Sequence, residues 1–170
     1  AAAITTLAIK PLLPIITKSS AQIFVATATF TDATVQDVSS LADWVITDVM
    51  GSGVASIDGS GTATGDAVGQ AKVSAEYLGK TAATTLTVTA APVATITISP
   101  ASATIDKGAT QKFTATARLT DGSTQDVTAT AAWTATDVTG VGVASVDASG
   151  VAKGQAAGQA RIGCTYRGVS

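Results

Sequence analysis

Residues 140–166 read GVGVASVDASGVAKGQAAGQARIGCTY, and residues 51–77 read GSGVASIDGSGTATGDAVGQAKVSAEY. The two stretches superpose at an offset of 89 residues, and the same offset places Trp44 on Trp133. Roughly 38 of about 81 superposed positions are identical, far more than shared composition would give. The chain is therefore a duplicated unit, and each copy is long enough to form a hydrophobic core of its own.

The repeat predicts two domains, residues 1–89 and residues 90–170. The first copy continues into residues 84–89, an alternating last strand, whereas the second copy stops at Ser170, which superposes on Thr81. We therefore expect the second domain to lack its last strand and to be C-terminally incomplete. Three explanations stay open: the chain is a segment of a longer array, a later segment is omitted, or a neighbouring subunit supplies the strand.

Short segments with alternating apolar and polar residues fill each copy. Residues 22–30 place Phe24 and Ala26 on one face, as in a half-buried strand. Residues 38–47 predict another strand, on which Trp44 fills the centre of the core. The remaining segments of the first copy are residues 6–10, 54–58, 61–65, 70–77 and 84–89, each separated from the next by turn residues. About seven short strands per copy and no helical period predict an all-β fold of two tandem Ig-like antiparallel β-sandwiches.

Composition excludes several classes of function. The net charge is −2 with ten Lys and Arg, and they form no run, which argues against nucleic-acid binding. Thr, Lys or Pro interrupts every apolar stretch well before the length of a membrane span. The chain has no histidine, so it cannot form a Ser-His-Asp triad or a histidine zinc site. Glu76 is the only glutamate, which leaves no repeated carboxylate pair for glycoside hydrolysis, and we predict no enzymatic activity.

Aspartates in the predicted turns are the remaining candidates for binding a metal ion. Asp32 and Asp37, with their twins Asp121 and Asp126, carry oxygens of the kind that Ca²⁺ prefers. Their spacing lacks a dense ligand loop, and aspartate is common in turns because its side chain accepts hydrogen bonds from the local backbone. We expect structural turns and no cofactor, with calcium as the alternative. Cys164 is expected to be a small buried side chain, with a reactive thiol as the alternative.

The order of motifs in the second copy resembles a known family. The motifs are Ser-Pro at 99–100, Asp-Lys-Gly at 106–108, Gln-x-Phe-x-Ala-x-Ala at 111–117, Asp-Gly-Ser at 121–123 and Val-Ala-Ser-Val-Asp-x-x-Gly-Val-Ala-x-Gly at 143–154. This is similar to the bacterial immunoglobulin-like domain of group 2, found in intimin- and invasin-like adhesins, other bacterial surface proteins and some phage tail and capsid proteins. The resemblance covers essentially the whole chain, twice, and implies an Ig-like sandwich without a catalytic centre. The first copy departs from it at Ser19 and Ala33, where the second copy has Gly108 and Gly122, which bears on turn conformation alone.

At outward-facing positions the first copy is consistently more apolar than the second. Ile23 and Val25 of the first copy stand where the second copy has Lys112 and Thr114. Nine such residues form the predicted interface: Leu12, Leu13, Ile15, Ile23, Val25, Val35, Leu41, Val45 and Met50. A contiguous apolar patch on a soluble domain usually marks an interaction site, so we expect the first domain to pack against a partner. The alternative is that these residues serve a thicker core or the contact between the two domains.

These observations predict a non-enzymatic structural or adhesive module of a bacterial surface protein, an extracellular filament or a phage particle. The first domain would pack in an assembly with other copies or a larger body, while the second projects. The localisation expected is the cell surface or a virion, with a cell-surface or glycan ligand as a further partner. The alternative function is a carbohydrate-binding or spacer module of a secreted enzyme, which would require exposed aromatic rings.

Overall fold

The computed structural model describes residues 2–170, which form two compact units that meet between Ala91 and Pro92. We call them unit 1 and unit 2. The boundary expected after Thr89 differs from this one by Ala90 and Ala91. All regular structure in the described residues is β-strand, which confirms the predicted all-β fold.

Unit 1 is a sandwich of two layers. Its strands are β1 (Ile4–Lys10), β2 (Ile15–Thr17), β3 (Ala21–Ile23), β4 (Val25–Phe30), β5 (Val35–Asp37), β6 (Asp43–Met50), β7 (Ala55–Ile57), β8 (Thr62–Gly65), β9 (Gly69–Tyr77) and β10 (Lys80–Thr89). The first layer contains the sheets β1-β4-β5 and β3-β8-β7, and the second layer is the sheet β2-β10-β9-β6. Within the second layer β10 is antiparallel to β9 and parallel to β2.

The core of unit 1 lies between these layers. Phe24 and Ala26 from the first layer pack in one cluster with Val73, Leu86 and Val88 from the second, and each of them is fully buried or nearly so. The alternation expected for residues 22–30 is present, because side chains on one face of a strand lie two residues apart. The stretch is nevertheless two strands, because β3 pairs with β8, up to the bond from the Phe24 amide to the Gly61 carbonyl, whereas β4 pairs with β1.

Unit 2 repeats this arrangement without two of the strands. Its strands are β11 (Val93–Ser99), β12 (Thr110–Lys112), β13 (Thr114–Leu119), β14 (Thr124–Asp126), β15 (Ala132–Thr139), β16 (Ala144–Val146), β17 (Val151–Gly154) and β18 (Gln159–Thr165). The sheets β11-β13-β14 and β12-β17-β16 match the first layer of unit 1, whereas the second layer is reduced to β15-β18. Among residues 92–170 no strand corresponds to β10 or to β2.

The strand expected over residues 38–47 begins later than predicted. Val38 and Ala42 are buried, and their spacing imitates a strand, but the Ala42 amide donates to the Val38 carbonyl and closes a turn there. Two short strands, β2 and β5, were not predicted. The β5 side chains are all exposed, so they carry no alternating apolar signal.

The tryptophans do not fill the centres of the cores. Trp44 is half-buried at the edge of the unit 1 cluster, and its indole Nε1 donates to the Ser39 carbonyl at 2.8 Å. Trp133 makes the same bond to the Thr128 carbonyl at 2.8 Å. A buried indole usually finds a partner for its N–H, and here the accepting carbonyl belongs to the turn before the strand. Phe24 takes the central position instead.

The turn after β4 has the same left-handed conformation in both units despite its different sequence. Ala33 has φ of 63°, and its twin Gly122 has φ of 82°. A side chain in this region of φ is strained, because Cβ crowds the following carbonyl oxygen. A Cβ at Gly122 would meet nothing within 4 Å. A side chain there would therefore cause backbone strain but no steric clash with neighbouring atoms.

We therefore expect opposite effects from exchanging these two residues. Ala33→Gly should stabilise unit 1 by about 1 kcal/mol, and Gly122→Ala should destabilise unit 2 by a similar amount. The measurement is the free energy of unfolding by denaturant titration. Ala83→Gly, at an exposed position within β10, is the control and should destabilise unit 1. A loss of stability in Ala33→Gly would contradict the strain argument.

Candidate interaction surfaces

The aspartates considered as calcium ligands are engaged in turns. Asp32 accepts from both the amide and the hydroxyl of Thr34, at 3.0 Å and 2.7 Å, and Asp37 accepts in the same way from Ser39. These hydroxyls and amides hold the pKa of both carboxyl groups below the ordinary aspartate value. Within residues 2–170 no three acidic, cysteine or histidine side chains are grouped closely enough to hold a metal ion. The bonds favour the structural-turn interpretation.

One of these turns connects the two layers of each unit. In unit 1 the Ser39 hydroxyl donates to Asp37 and accepts from the Ala26 amide of β4 at 3.0 Å. The carbonyl of Ser39 accepts a hydrogen bond from the indole N–H of Trp44, on β6. Unit 2 has Thr128 at the position of Ser39, and its hydroxyl accepts from the Ala115 amide at 2.9 Å. The aspartates thus orient a residue whose hydroxyl binds the first layer and whose carbonyl binds the second.

All nine residues of the predicted interface are exposed. Their exposed fractions range from 37% for Val25 to 71% for Leu13. Leu12 and Leu13 lie in the loop between β1 and β2, and Leu41 lies in the turn before β6. The other six lie in strands, so the sheet register determines which way each of them faces.

The strand residues fall on opposite faces of unit 1. Ile23, Val25 and Val35 face outward from the first layer, because their neighbours along the strands, Phe24 and Ala26, face the core, and Val35 pairs with the outward-facing residue Thr29. We call this set the first face. It lies on one outer surface of the sandwich.

The second face consists of Ile15, Val45 and Met50 on the outer surface of the other layer. Ile15 pairs with Thr87, beside the buried Val88, and Met50 pairs with Gln70 across the next strands of the same sheet. Since β2 and β6 are the two edges of that sheet, polar residues of β10 and β9 separate Ile15 from Met50. The nine residues therefore do not form one contiguous patch, and comparison of the copies alone could not reveal this.

Comparison of the copies also missed exposed apolar residues that the copies share. Val49 and its twin Val138 are both 61% exposed. Since the two copies have the same residue at this position, comparing their sequences does not reveal it. Val141 of unit 2 is more exposed than any interface residue, at 89%. Cys164 is buried, as expected, and burial raises the pKa of its thiol.

A groove of about 800 Å³ opens in unit 2, on the side where β10 lies in unit 1. Ile98, Ile105, Phe113, Val143 and Ile162 contribute apolar side chains to its wall. The counterpart of Phe113 is Phe24, whose exposed fraction is 0%, against 7% for Phe113. The groove was not predicted, although the expected loss of the last strand implied an uncovered core at this position.

The family relationship of unit 2 follows from residues 92–168. They match the family model of the bacterial Ig-like domain, group 2. Unit 2 is a bacterial Ig-like domain of group 2. The match confirms the resemblance seen in the sequence, and an Ig-like domain of this family fits a surface structural or adhesive module. Assignment of unit 1 to the same family remains a prediction that rests on the repeat.

Comparison with other proteins adds likenesses of fold. No curated protein matches the chain. The S-layer protein rSbsC(31-844) is similar at 18% identity and a TM-score of 0.44, over 98% of this chain and 27% of that one. Extracellular domains 3-5 of Drosophila OTK match at 12% identity and a TM-score of 0.39, over 97% and 63% of the two chains. A SusE-like surface-located polysaccharide-binding protein of Bacteroides thetaiotaomicron matches at 16% identity and a TM-score of 0.33, over 99% and 29%. At such identities and TM-scores these likenesses carry no argument about function.

Aromatic side chains of the Ig-like units are engaged with the fold. Phe24 and Phe113 are buried, and the remaining five aromatic side chains are half-buried: Phe30, Trp44, Tyr77, Trp133 and Tyr166. The Arg167 guanidinium lies over the Tyr166 ring at 5.3 Å from its centre. Residues 2–170 also contain no helix with the length and apolar content that crossing a membrane requires.

The turn aspartates predict a dependence of stability on pH. Asp147 of unit 2 accepts from the Ser149 hydroxyl at 2.7 Å and from the amides of Ser149 and Val151 at 2.9 Å, and these bonds lower its pKa. Its contribution to stability is therefore present above the ordinary aspartate pKa of about 3.9 and is lost as pH falls through the lower folded-state pKa. We expect Asp147→Ala to lower the Tm of unit 2 at neutral pH, and its difference from the unsubstituted chain to shrink in strong acid.

Calorimetric melting between about pH 7 and pH 2 measures this difference. Asp147→Asn is the matched control, because its amide oxygen still accepts hydrogen bonds but does not titrate over this range. Asp58→Ala makes the same test in unit 1, where Asp58 accepts from Ser60 and Thr62. A deficit in Asp147→Ala that is equal at both ends of the pH range would refute the proposed linkage.

Proposed function

We propose that this chain is a non-enzymatic structural module of a bacterial surface or extracellular assembly, in which unit 1 packs against other copies and unit 2 projects. The observation that carries the proposal is the set of exposed apolar side chains on unit 1 at positions where unit 2 has Lys, Thr, Ala or Ser. The strands that both sandwiches contain pair in the same order, so the difference at these positions concerns the surface.

The distribution of these side chains favours an extended assembly. The first face and the second face lie on opposite sides of unit 1, so each copy can contact two neighbours at once. Contacts of this kind produce open filaments or layers when the rotation between copies does not close a ring. A net charge of only −2 gives little electrostatic repulsion between copies. These features agree with the bacterial-surface, filament and virion settings expected from the sequence.

The free energies involved indicate that a contact through one face of unit 1 is weak. Completing the burial of three half-exposed aliphatic side chains contributes about 1 kcal/mol each. Association of two free molecules costs about 4–15 kcal/mol, so a contact through one face is populated only at high protein concentration. Assembly then requires both faces together, or a high local concentration such as a surface provides.

The second candidate, a carbohydrate-binding module, gains no specific support. Sugar sites usually present exposed aromatic rings, and both indoles are instead fixed by hydrogen bonds to backbone carbonyls. A glycan or cell-surface ligand stays a prediction from the sequence. Under the proposal the chain acts outside the cytoplasm, at a bacterial surface or in a virion.

Replacing residues of the two faces by their unit 2 twins tests the proposal. We expect Ile23→Lys combined with Val25→Thr and Val45→Thr to abolish concentration-dependent association, measured by sedimentation equilibrium up to about 1 mM. These side chains are exposed, so the Tm should stay nearly unchanged. The matched control is Val138→Thr with Val141→Ser, which removes exposed apolar side chains from unit 2 and should leave association unaffected.

Variants of one face alone distinguish the geometry. If unlike faces meet, Ile23→Lys should prevent all association, whereas if like faces meet it should leave dimers held by the second face. An unsubstituted chain that stays monomeric over the whole concentration range, or a unit 2 control that blocks association equally, would rule out packing through unit 1.

A further inference from the structure

The turn between β7 and β8 contains a dipeptide that can react within its own main chain. Asp58-Gly59 and Asp121-Gly122 are the two Asp-Gly pairs of the sequence, and their twins at the offset of 89 residues are Asp147-Ala148 and Asp32-Ala33. A backbone nitrogen that follows an aspartate can attack the Cγ of that side chain, and glycine permits the approach best because it has no Cβ. The chain thus contains two candidate sites and, at the twin positions, two matched sites without the glycine.

The structure exposes only one of the two glycine amides to water. The Gly122 amide donates to the Leu119 carbonyl at 3.0 Å, in the turn after β13. The Gly59 amide donates to no acceptor among residues 2–170, and Gly59 itself is exposed. The amide must lose its proton to water during the attack, and an N–H that is hydrogen-bonded within the fold is shielded from water, as in amide hydrogen exchange. Gly59 is therefore the better nucleophile of the two.

The Asp58 carboxyl group is held with its hydrogen bonds on one oxygen. Its Oδ1 accepts from the Ser60 hydroxyl at 2.7 Å and from the amides of Ser60 and Thr62, both at 2.9 Å. Negative charge gathers on this oxygen when a nitrogen attacks Cγ, and the three donors already aimed at it stabilise that charge. The second oxygen, Oδ2, accepts none of these bonds, so it is the one that can take up a proton and leave.

We propose that Asp58-Gly59 is a site of spontaneous isomerisation, at which the aspartate of unit 1 becomes an isoaspartate through a cyclic imide. From the neutral carboxyl group, the Gly59 nitrogen forms a bond to Cγ, the bond from Cγ to Oδ2 breaks, and the amide proton and the hydroxyl leave as water. Water then adds to the imide. Addition at Cγ restores aspartate, whereas addition at the main-chain carbonyl carbon of Asp58 breaks its bond to the Gly59 nitrogen and leaves the chain running through Cγ. Water is the only co-reactant, and nothing is oxidised or reduced.

The isoaspartyl form cannot keep the bonds of this turn, because its main chain is longer by the Cβ methylene. At present the Asp58 amide donates to the Thr62 carbonyl at 3.0 Å, and the Asp58 carbonyl accepts from the Gly61 amide at 3.1 Å. The Gly61 carbonyl in turn accepts from the amide of Phe24 at 2.8 Å, and the Phe24 side chain is fully buried in the core. Isomerisation should therefore loosen the turn and lower the stability of unit 1.

Peptide mapping of the aged full chain tests the proposal. The folded chain is incubated for weeks in mildly acidic buffer, where part of the carboxyl groups is neutral, and electron-transfer fragmentation of its proteolytic peptides distinguishes isoaspartate from aspartate at each position. We expect isoaspartate at Asp58 to exceed that at Asp121 and at Asp147 by about tenfold or more. Calorimetry of the same samples should show a lower Tm of unit 1 as isoaspartate accumulates.

Exchanging the residue after the aspartate between the units provides matched variants. Gly59→Ala should reduce isoaspartate at Asp58 by about tenfold. Ala148→Gly should raise it at Asp147 by a similar factor, because Asp147 Oδ1 accepts the same three bonds. Gly59→Ala should not disturb the fold, since a Cβ on Gly59 would meet nothing within 4 Å and its φ is not in the left-handed region.

A chain aged in denaturant shows what the fold contributes, because both Asp-Gly pairs should convert there at similar rates. Three results would overturn the proposal. They are isoaspartate in the folded chain at Asp121 equal to or above that at Asp58, equal conversion at Asp58 in Gly59→Ala, and conversion in denaturant without any in the folded chain. The proposal does not rest on packing of unit 1 against other copies, and isoaspartate is measured independently of association, so failure of either proposal can be recognised separately.

Discussion

Burial of β10 between β2 and β9 is the interaction on which the closed sandwich depends. Leu86 and Val88 enter the core from this strand, and burying side chains of this size contributes about 1.5–3 kcal/mol each. The same strand supplies backbone partners on both sides, so its removal uncovers apolar surface and unpaired backbone together. In unit 2 residues 104–106, which stand where β2 lies in unit 1, form no strand, and the cluster around Ala115 and Val127 is smaller.

Both units have the same hydrogen-bonded turn between their two layers, although their cores differ in size. Asp37 and Asp126 orient the Ser39 and Thr128 hydroxyls, which bind the amides of Ala26 and Ala115. The carbonyls of Ser39 and Thr128, in the same turns, accept the hydrogen bonds from the tryptophan indoles. The turn thereby keeps the tryptophan at the edge of the core, where Gly61 leaves room for the ring, since a Cβ on Gly61 would lie 2.7 Å from Trp44 Cζ2. The glycine, the tryptophan and the aspartate form one local unit whose parts constrain each other.

The sequence was sufficient to predict the repeat and the all-β fold, because alternation and an offset of 89 residues report directly on strands and on duplication. It failed where a buried turn imitates a strand, as Val38 and Ala42 do, and where a strand is wholly exposed, as β5 is. The orientation of Val45 relative to Ile23 depends on which layer each strand joins. Local periodicity does not predict which strands pair, so this orientation could not be predicted from the sequence. For the same reason the groove of unit 2 became evident only when its residues were seen around the space that β10 fills in unit 1.

Within residues 92–170 β18 pairs with β15 alone, and this has a consequence for how residues 2–170 respond to heat. Two units with cores of unequal completeness do not melt as one cooperative system, and a single midpoint does not describe them. The fully covered sandwich retains its structure while the uncovered one opens first, from the side where the fewest backbone groups are paired.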